Sequence, residues 1–172
     1  GTACLEALQD GSMPDAVFAA CGGGGLVSGA WLAARGVLAD IRVFGAEPAM
    51  ANDAAQSLRQ GFITGFEQSP MSIADGARTL KVTPLCFAYL QRLDGILEVE
   101  ERDIMYWTQW LSHLLKIVVE PTAALAMGAA AQWLSGQGER KRVLVILSGG
   151  NVDAACMRKL WQQSYLEQVP GL

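Results

Sequence analysis

A wholly apolar run of strand length, AVFAA (16–20), leads through Cys21 into four consecutive glycines, Gly22 to Gly25. A helix-like segment, LVSGAWLAARGVL (26–38), follows at once. Glycine loses more backbone entropy on folding than any other residue and contributes no packing, so four in a row imply a need for bare backbone. A flexible linker, a membrane-spanning segment and a ligand cradle are the competing explanations. Residues 16–34 carry no charge and have the length of a membrane helix. The glycines in their middle suit a strand–loop–helix better. Such a turn presents free N–H groups and the positive end of a helix to an anion, and phosphate is the natural guest. The dinucleotide pattern G-x-G-x-x-G fails, because Val27 and Ser28 occupy both possible positions of its last glycine. The P-loop also fails, since no Gly-Lys-Ser/Thr follows. A tight structural turn without a ligand stays open as the alternative.

The remaining segments repeat the alternation. A helix over 2–9 precedes the first strand, and IRVFGAE (41–47) reads as a second buried strand. A helix over 50–61, a loop-rich stretch over 62–82 and a helix over 83–94, with Pro84 in its first turn, lead to GILEVE (95–100), the third strand. Two long helices follow, over 100–116 with an acidic start and over 120–136 with Pro121 at its N-terminus. RVLVIL (142–147) is the fourth strand, and a last helix covers 152–163. Strands alternating with helices predict an α/β fold, a mostly parallel sheet of about four strands with helices on both faces. No repeat or linker divides the 172 residues, so a single domain over 1–172 is expected.

Ligands of such sheets bind beyond the carboxyl ends of the strands. Two glycine-rich turns fall there, CGGGGL (21–26) and LSGGN (147–151). Thirteen basic against seventeen acidic side chains, with no basic run, exclude a nucleic-acid surface. The widely spaced Cys4, Cys21, Cys86 and Cys156, with His113 the single histidine, form no zinc motif and read as reduced thiols of a cytoplasmic protein. His113 itself reads as a helix-face residue. Only 17% of residues are charged while 51% are hydrophobic, a balance that anticipates a partner surface or a missing part of the fold.

Five motifs in order, GGGGLVSG (22–29), AEP (46–48), IADG (73–76), EPTAA (120–124) and LSGGNVD (147–153), resemble those of the fold-type II pyridoxal-phosphate enzymes. The match is best to the serine/threonine dehydratase and serine racemase branch, and the opening GTACLEAL resembles a helix of that family. The threonine synthase and cysteine synthase branches share the fold but fit EPT and the acidic segment less well. The resemblance implies that Gly22, Gly23, Gly24, Gly25 and Leu26 hold the cofactor phosphate through backbone amides. Ser148, beside Gly149, would place its hydroxyl on the pyridine nitrogen; its alternative is an N-cap for the last helix. Gly76 would lie near cofactor and substrate, or be a plain turn glycine. Glu120 would sit at the ring edge, or favour the start of the helix that follows it.

GAEPAMAND (45–53) resembles the divalent-cation site of the racemase branch, with carboxylates from Glu47 and Asp53 and a backbone carbonyl from Ala51. That donor set suits Mg²⁺, Ca²⁺ or Mn²⁺. The alternative is a strand-end acid and a solvated helix acid. The resemblance covers about the C-terminal half of a family member. The lysine that forms the family's Schiff base with the cofactor lies in its other half, in a Ser-Phe-Lys-x-Arg-Gly-like stretch without counterpart in this sequence, and Lys81, Lys116, Lys141 and Lys159 stand in other contexts. The expectation is therefore part of a dehydratase or racemase, lacking the small domain and inactive alone. It would be completed by self-association or by an N-terminal fragment, with an amino acid as substrate. A non-catalytic phosphate-binding or oligomerisation module of the same ancestry is the alternative.

Overall fold

The computed structural model describes residues 1–11 and 13–171. Four strands, β1 (Ala16–Ala20), β2 (Arg42–Pro48), β3 (Gly95–Val99) and β4 (Val143–Val145), form one all-parallel sheet in the order β3-β2-β1-β4. Among the described residues seven α-helices accompany them: α1 (Thr2–Gln9), α2 (Gly25–Val37), α3 (Asp53–Gln60), α4 (Pro84–Leu90), α5 (Glu101–Leu115), α6 (Pro121–Ser135) and α7 (Ala154–Leu160).

β1 shows why the sheet is covered on both sides. Its side chains alternate between two cores. Val17 and Ala19, with Cys21 beyond them, join Cys4 and Leu8 of α1 and Val27, Ala30 and Ala34 of α2. Ala16, Phe18 and Ala20 face Leu125, Ala126, Ala129 and Ala130 of α6. Phe18 stacks on Phe44 at 5.2 Å between ring centroids, with Trp133 of α6 closing the group at 5.7 Å from Phe18. Small residues on α6 let it lie close to the sheet, and α5 packs outside it through Trp107, Trp110 and Leu111.

The chain advances from β1 to β2 to β3, then crosses back to lay β4 on the other side of β1. This reversal falls between β1 and β4, and parallel sheets receive ligands beyond the carboxyl ends of the strands at such a point.

The fourth strand is shorter than its apolar run suggests. It pairs with β1 over three residues, and one more ladder bond, Ile146 N–H to the Phe18 carbonyl at 3.0 Å, extends it. With a neighbour on one side only, nothing among the described residues holds Leu147 in extended register. The helices expected over 50–61, 83–94 and 152–163 are also trimmed, to α3, α4 and α7, while the second strand runs one residue further, to Pro48. No helix among the described residues is long and apolar enough to cross a membrane.

Candidate cofactor site at the carboxyl edge

Cys21 ends β1's run, its N–H bonded to the Ala46 carbonyl of β2 at 2.8 Å. Beyond it Gly24 adopts φ +87°, the left-handed conformation that L side chains resist, and becomes the N-cap of α2. The first bond of α2 runs from the Ser28 N–H to the Gly24 carbonyl, so the amides before Ser28 belong to the set a helix start leaves without an internal partner. The space is equally specific. A Cβ on Gly22 would sit 2.7 Å from the Gly76 carbonyl oxygen, and one on Gly24 3.0 Å from Cys86 Cβ, whereas one on Gly25 would meet nothing within 4 Å. Gly22 and Gly24 are thus bare because protein approaches them, and Gly25 faces open space. Gly25 is exposed, Gly23 and Leu26 half-buried.

The other segments converge on this loop. Asp75–Ala77 is a 3₁₀ turn, and the Gly76 N–H donates to Thr122 Oγ1 of α6 at 3.0 Å. Thr122 thereby fixes the turn whose carbonyl lies against Gly22. Two residues before Thr122, the Glu120 carboxylate accepts the Asn151 N–H at 3.0 Å, and the Glu120 N–H donates to the Gly149 carbonyl at 3.2 Å. A Cβ on Gly149 would fall 2.7 Å from the Glu120 carboxylate. Glu120 is the N-cap residue of α6 by position but makes no side-chain cap; its charge holds the Ser148–Asn151 turn instead. Ser148 is exposed at that turn and does not cap the last helix, because Asp153 does so, accepting the Cys156 N–H at 2.7 Å. The glycine loop, Gly76, Glu120, Ser148 and Gly149 therefore share one edge. Thr122, which ties two of these segments together, carried no sequence signal beyond its place in EPTAA.

The acidic segment lies beside them, beneath the surface. Glu47 is 0% exposed and accepts the N–H groups of Ala54 and Ala55 at 3.1 and 2.9 Å, while Asp53 is 1% exposed. The solvated-acid alternative is thereby ruled out. Burial, with the Asp53 charge adding to it, pushes the Glu47 carboxyl up to about 8, and burial raises Asp53 as well. Asp53 Oδ1 accepts from the Thr79 hydroxyl at 3.3 Å, but Asp53 Oδ2 has no partner. Ala51 is fully buried next to them. Two buried acids, one with an orphaned oxygen, fit a hard divalent cation, whose charge would offset their desolvation. Among the described residues no cluster of three His, Cys, Asp or Glu forms a metal site, so a cation here would depend on carbonyl and water ligands. The adjoining Cys21 thiol is held well above its usual range by burial and by Glu47, which makes it a core group rather than a nucleophile.

Residues 1–149 match the family described as pyridoxal-phosphate dependent enzyme. The chain belongs to that family. Its relatives include the L-threo-3-hydroxyaspartate ammonia-lyase of Saccharomyces cerevisiae, 41% identical over 89% of this chain and 47% of its own length. The serine racemase of Schizosaccharomyces pombe is 40% identical over the same shares. The crystal structure of a T.th. threonine deaminase superposes with a TM-score of 0.82 at 39% identity, covering 88% of this chain and 57% of that one. The chain spans about half the length of the curated relatives it matches. For a member of the pyridoxal-phosphate dependent family, the open, helix-capped cradle at Gly22–Leu26 is chemically suited to a phosphate.

Proposed function

We propose that this chain provides the phosphate cradle and ring-nitrogen contact of a pyridoxal-phosphate dependent lyase or racemase acting on serine or threonine. The observation that carries the reading is the convergence of the glycine loop, Gly76, Glu120 and the Ser148 turn on one carboxyl edge. When bound, pyridoxal phosphate supplies an electron sink for charge developing at a substrate's α-carbon. The amides of Gly22–Leu26 would hold its phosphate against the start of α2. Ser148 would offer a neutral hydroxyl, rather than a carboxylate, to the ring nitrogen. Glu120 keeps the Ser148 turn in place through Asn151, and Thr122 keeps Gly76 in place. Glu47, Asp53 and the Ala51 carbonyl would take Mg²⁺, Ca²⁺ or Mn²⁺.

Substrate, in this reading, is a small hydroxy amino acid, and the complete site needs a complementary N-terminal segment or a second copy. Exposed Leu114, Ile117, Val118 and Trp161 give apolar surface for such a partner. Four free cysteines accord with a cytoplasmic setting. A second reading, a phosphate-binding module without catalysis, rests on the Gly22–Leu26 loop alone, whose open helix start would hold a phosphate with or without a cofactor ring attached. Titration with pyridoxal phosphate, then borohydride reduction and peptide mapping, carried out on the chain alone and mixed with the N-terminal half of a relative, separates the two. A single trapped lysine together with loss of ammonia from serine or threonine supports the enzyme. Phosphate-competed binding that traps no lysine supports the module, and no binding refutes both.

A further inference from the structure

The Ile73–Gly76 turn accounts for each of its backbone N–H groups. Ile73 donates to Glu101 Oε2 at 2.8 Å, Ala74 to Ser72 Oγ at 3.1 Å, and Asp75 to the Ile73 carbonyl at 3.1 Å. Gly76 divides its N–H between Asp75 Oδ1 at 2.9 Å and Thr122 Oγ1 at 3.0 Å. The Ser72 hydroxyl in turn donates to Glu101 Oε1 at 2.5 Å. One carboxylate thus holds two of the four amides, Ile73 directly and Ala74 through Ser72. Ile73 and Ala74 are buried, so water does not readily replace a lost partner there. Glu101 opens α5, where an acid ordinarily favours the free amides of its own helix start. Its side chain does something else. Glu100, the N-cap residue, makes no side-chain cap, and the Glu101 carboxylate takes its partners 28 and 29 positions away. β3 ends at Val99, which puts Glu101 beyond the carboxyl end of a parallel strand, on the same edge as the glycine loop.

We propose that Glu101 is a positioning residue of the cofactor edge, fixing the turn that carries Gly76 through the Ser72 hydroxyl and the Ile73 N–H. The inference rests on the reading of that edge given above. The turn is slung between two helices: Glu101 of α5 holds its start and Thr122 of α6 holds its end. α5 and α6 pack against each other through Trp107, Trp110, Ala123 and Ala124, so the two anchors keep a set separation. With both ends held, Gly76 has one place on the edge. The two donors come from adjacent residues and need two acceptor oxygens. A glutamate supplies both, with a charge that strengthens each bond. A glutamine offers one oxygen and turns an NH₂ group toward the other donor.

Pyridoxine 5′-phosphate carries ring and phosphate but no aldehyde, and it therefore reads the edge without lysine chemistry. Its affinity is measured by calorimetry on the full chain, with amide hydrogen exchange followed on the same protein. Glu101→Gln should weaken binding by about 10-fold, the order of one charge-assisted hydrogen bond, and speed exchange at Ile73, Ala74 and Gly76 by at least as much. Exchange in α5 from Met105 to Leu115 should change by less than about 2-fold. Glu100→Gln removes the same charge one residue earlier and should leave both readouts within about 2-fold. Ser72→Ala keeps the charge and removes one of the two bonds. It should give a smaller loss at the same amides, and it decides the matter where Glu101→Gln does not fold. Faster exchange throughout α5, or an equal loss of affinity in Glu100→Gln, gives Glu101 an ordinary helix-start role and overturns the proposal. Unchanged affinity beside a loosened turn, or unchanged exchange at the turn, overturns it too and leaves the glycine-loop cradle standing. Absence of binding to the unsubstituted chain overturns the reading of the edge, and the proposal with it.

Discussion

Gln109 and Asp53 are both 1% exposed, yet their surroundings differ in kind. The Gln109 amide is satisfied on every side that matters. Its Nε2 donates to the carbonyls of Leu160 and Gln163 at 2.6 and 2.7 Å, and its Oε1 accepts the Tyr165 N–H at 2.8 Å. With Trp110 Nε1 on the Tyr165 and Gln168 carbonyls, it straps the C-terminal segment to α5. Around Asp53 the hydrogen bonding is incomplete: an oxygen without a partner, a second buried acid beside it, and both held above their ordinary range. A buried polar group whose partners are complete contributes architecture, and one left incomplete contributes a place for something to bind.

Titration should separate the two regions most widely. The folded state binds a proton on Glu47 up to about pH 8, against an ordinary value of 4.5, and Asp53 shifts in the same direction. Between those limits the folded chain therefore holds more protons than the unfolded one, and stability must fall as pH rises across the window. The drop is on the order of a few kcal/mol. Chemical denaturation at pH 5 and pH 8 measures it. Gln109 has no titratable proton, so Gln109→Leu should lower the whole curve without altering its slope, by about 3 kcal/mol, because three backbone groups lose their partner.

Gly24→Val targets the cradle instead. A β-branched residue at φ +87°, 3.0 Å from Cys86 Cβ, should cost about 2 kcal/mol and abolish pyridoxine 5′-phosphate binding, whereas Gln109→Leu keeps it. Asp53→Asn sharpens the contrast further. It removes a buried charge, so stability at pH 7 should hold or rise by about 1 kcal/mol, and any rise in melting temperature that Mg²⁺ gives the unsubstituted chain through the proposed cation site should be lost. The smallest effect is expected at exposed His113, which meets Trp110 edge-on at 5.7 Å. His113→Ala should stay within about 0.5 kcal/mol in the same denaturation assay.

The sheet was legible because its signals are local. AVFAA can be little but a buried strand, and glycines after it mark a strand-to-helix turn. The meeting of Gly22–Leu26, Gly76, Glu120 and Ser148 was legible only through motif order, since nothing local says that four distant segments share an edge. What escaped reading is long-range. The Gly76–Thr122 bond spans 46 positions and the Gln109–Tyr165 bond 56. The sequence offered Ser148 as a cap for the last helix, and backbone geometry gives that place to Asp153. The shortness of β4 follows from its place at the sheet edge, which composition cannot convey.

The most direct test of the cradle is a calorimetric titration of the chain with pyridoxine 5′-phosphate, repeated with inorganic phosphate as competitor and with Gly24→Val. Saturable one-to-one binding, displaced by phosphate and lost in Gly24→Val, is the predicted result. Binding that phosphate does not displace, or that Gly24→Val leaves unchanged, would place the ligand elsewhere and contradict the account.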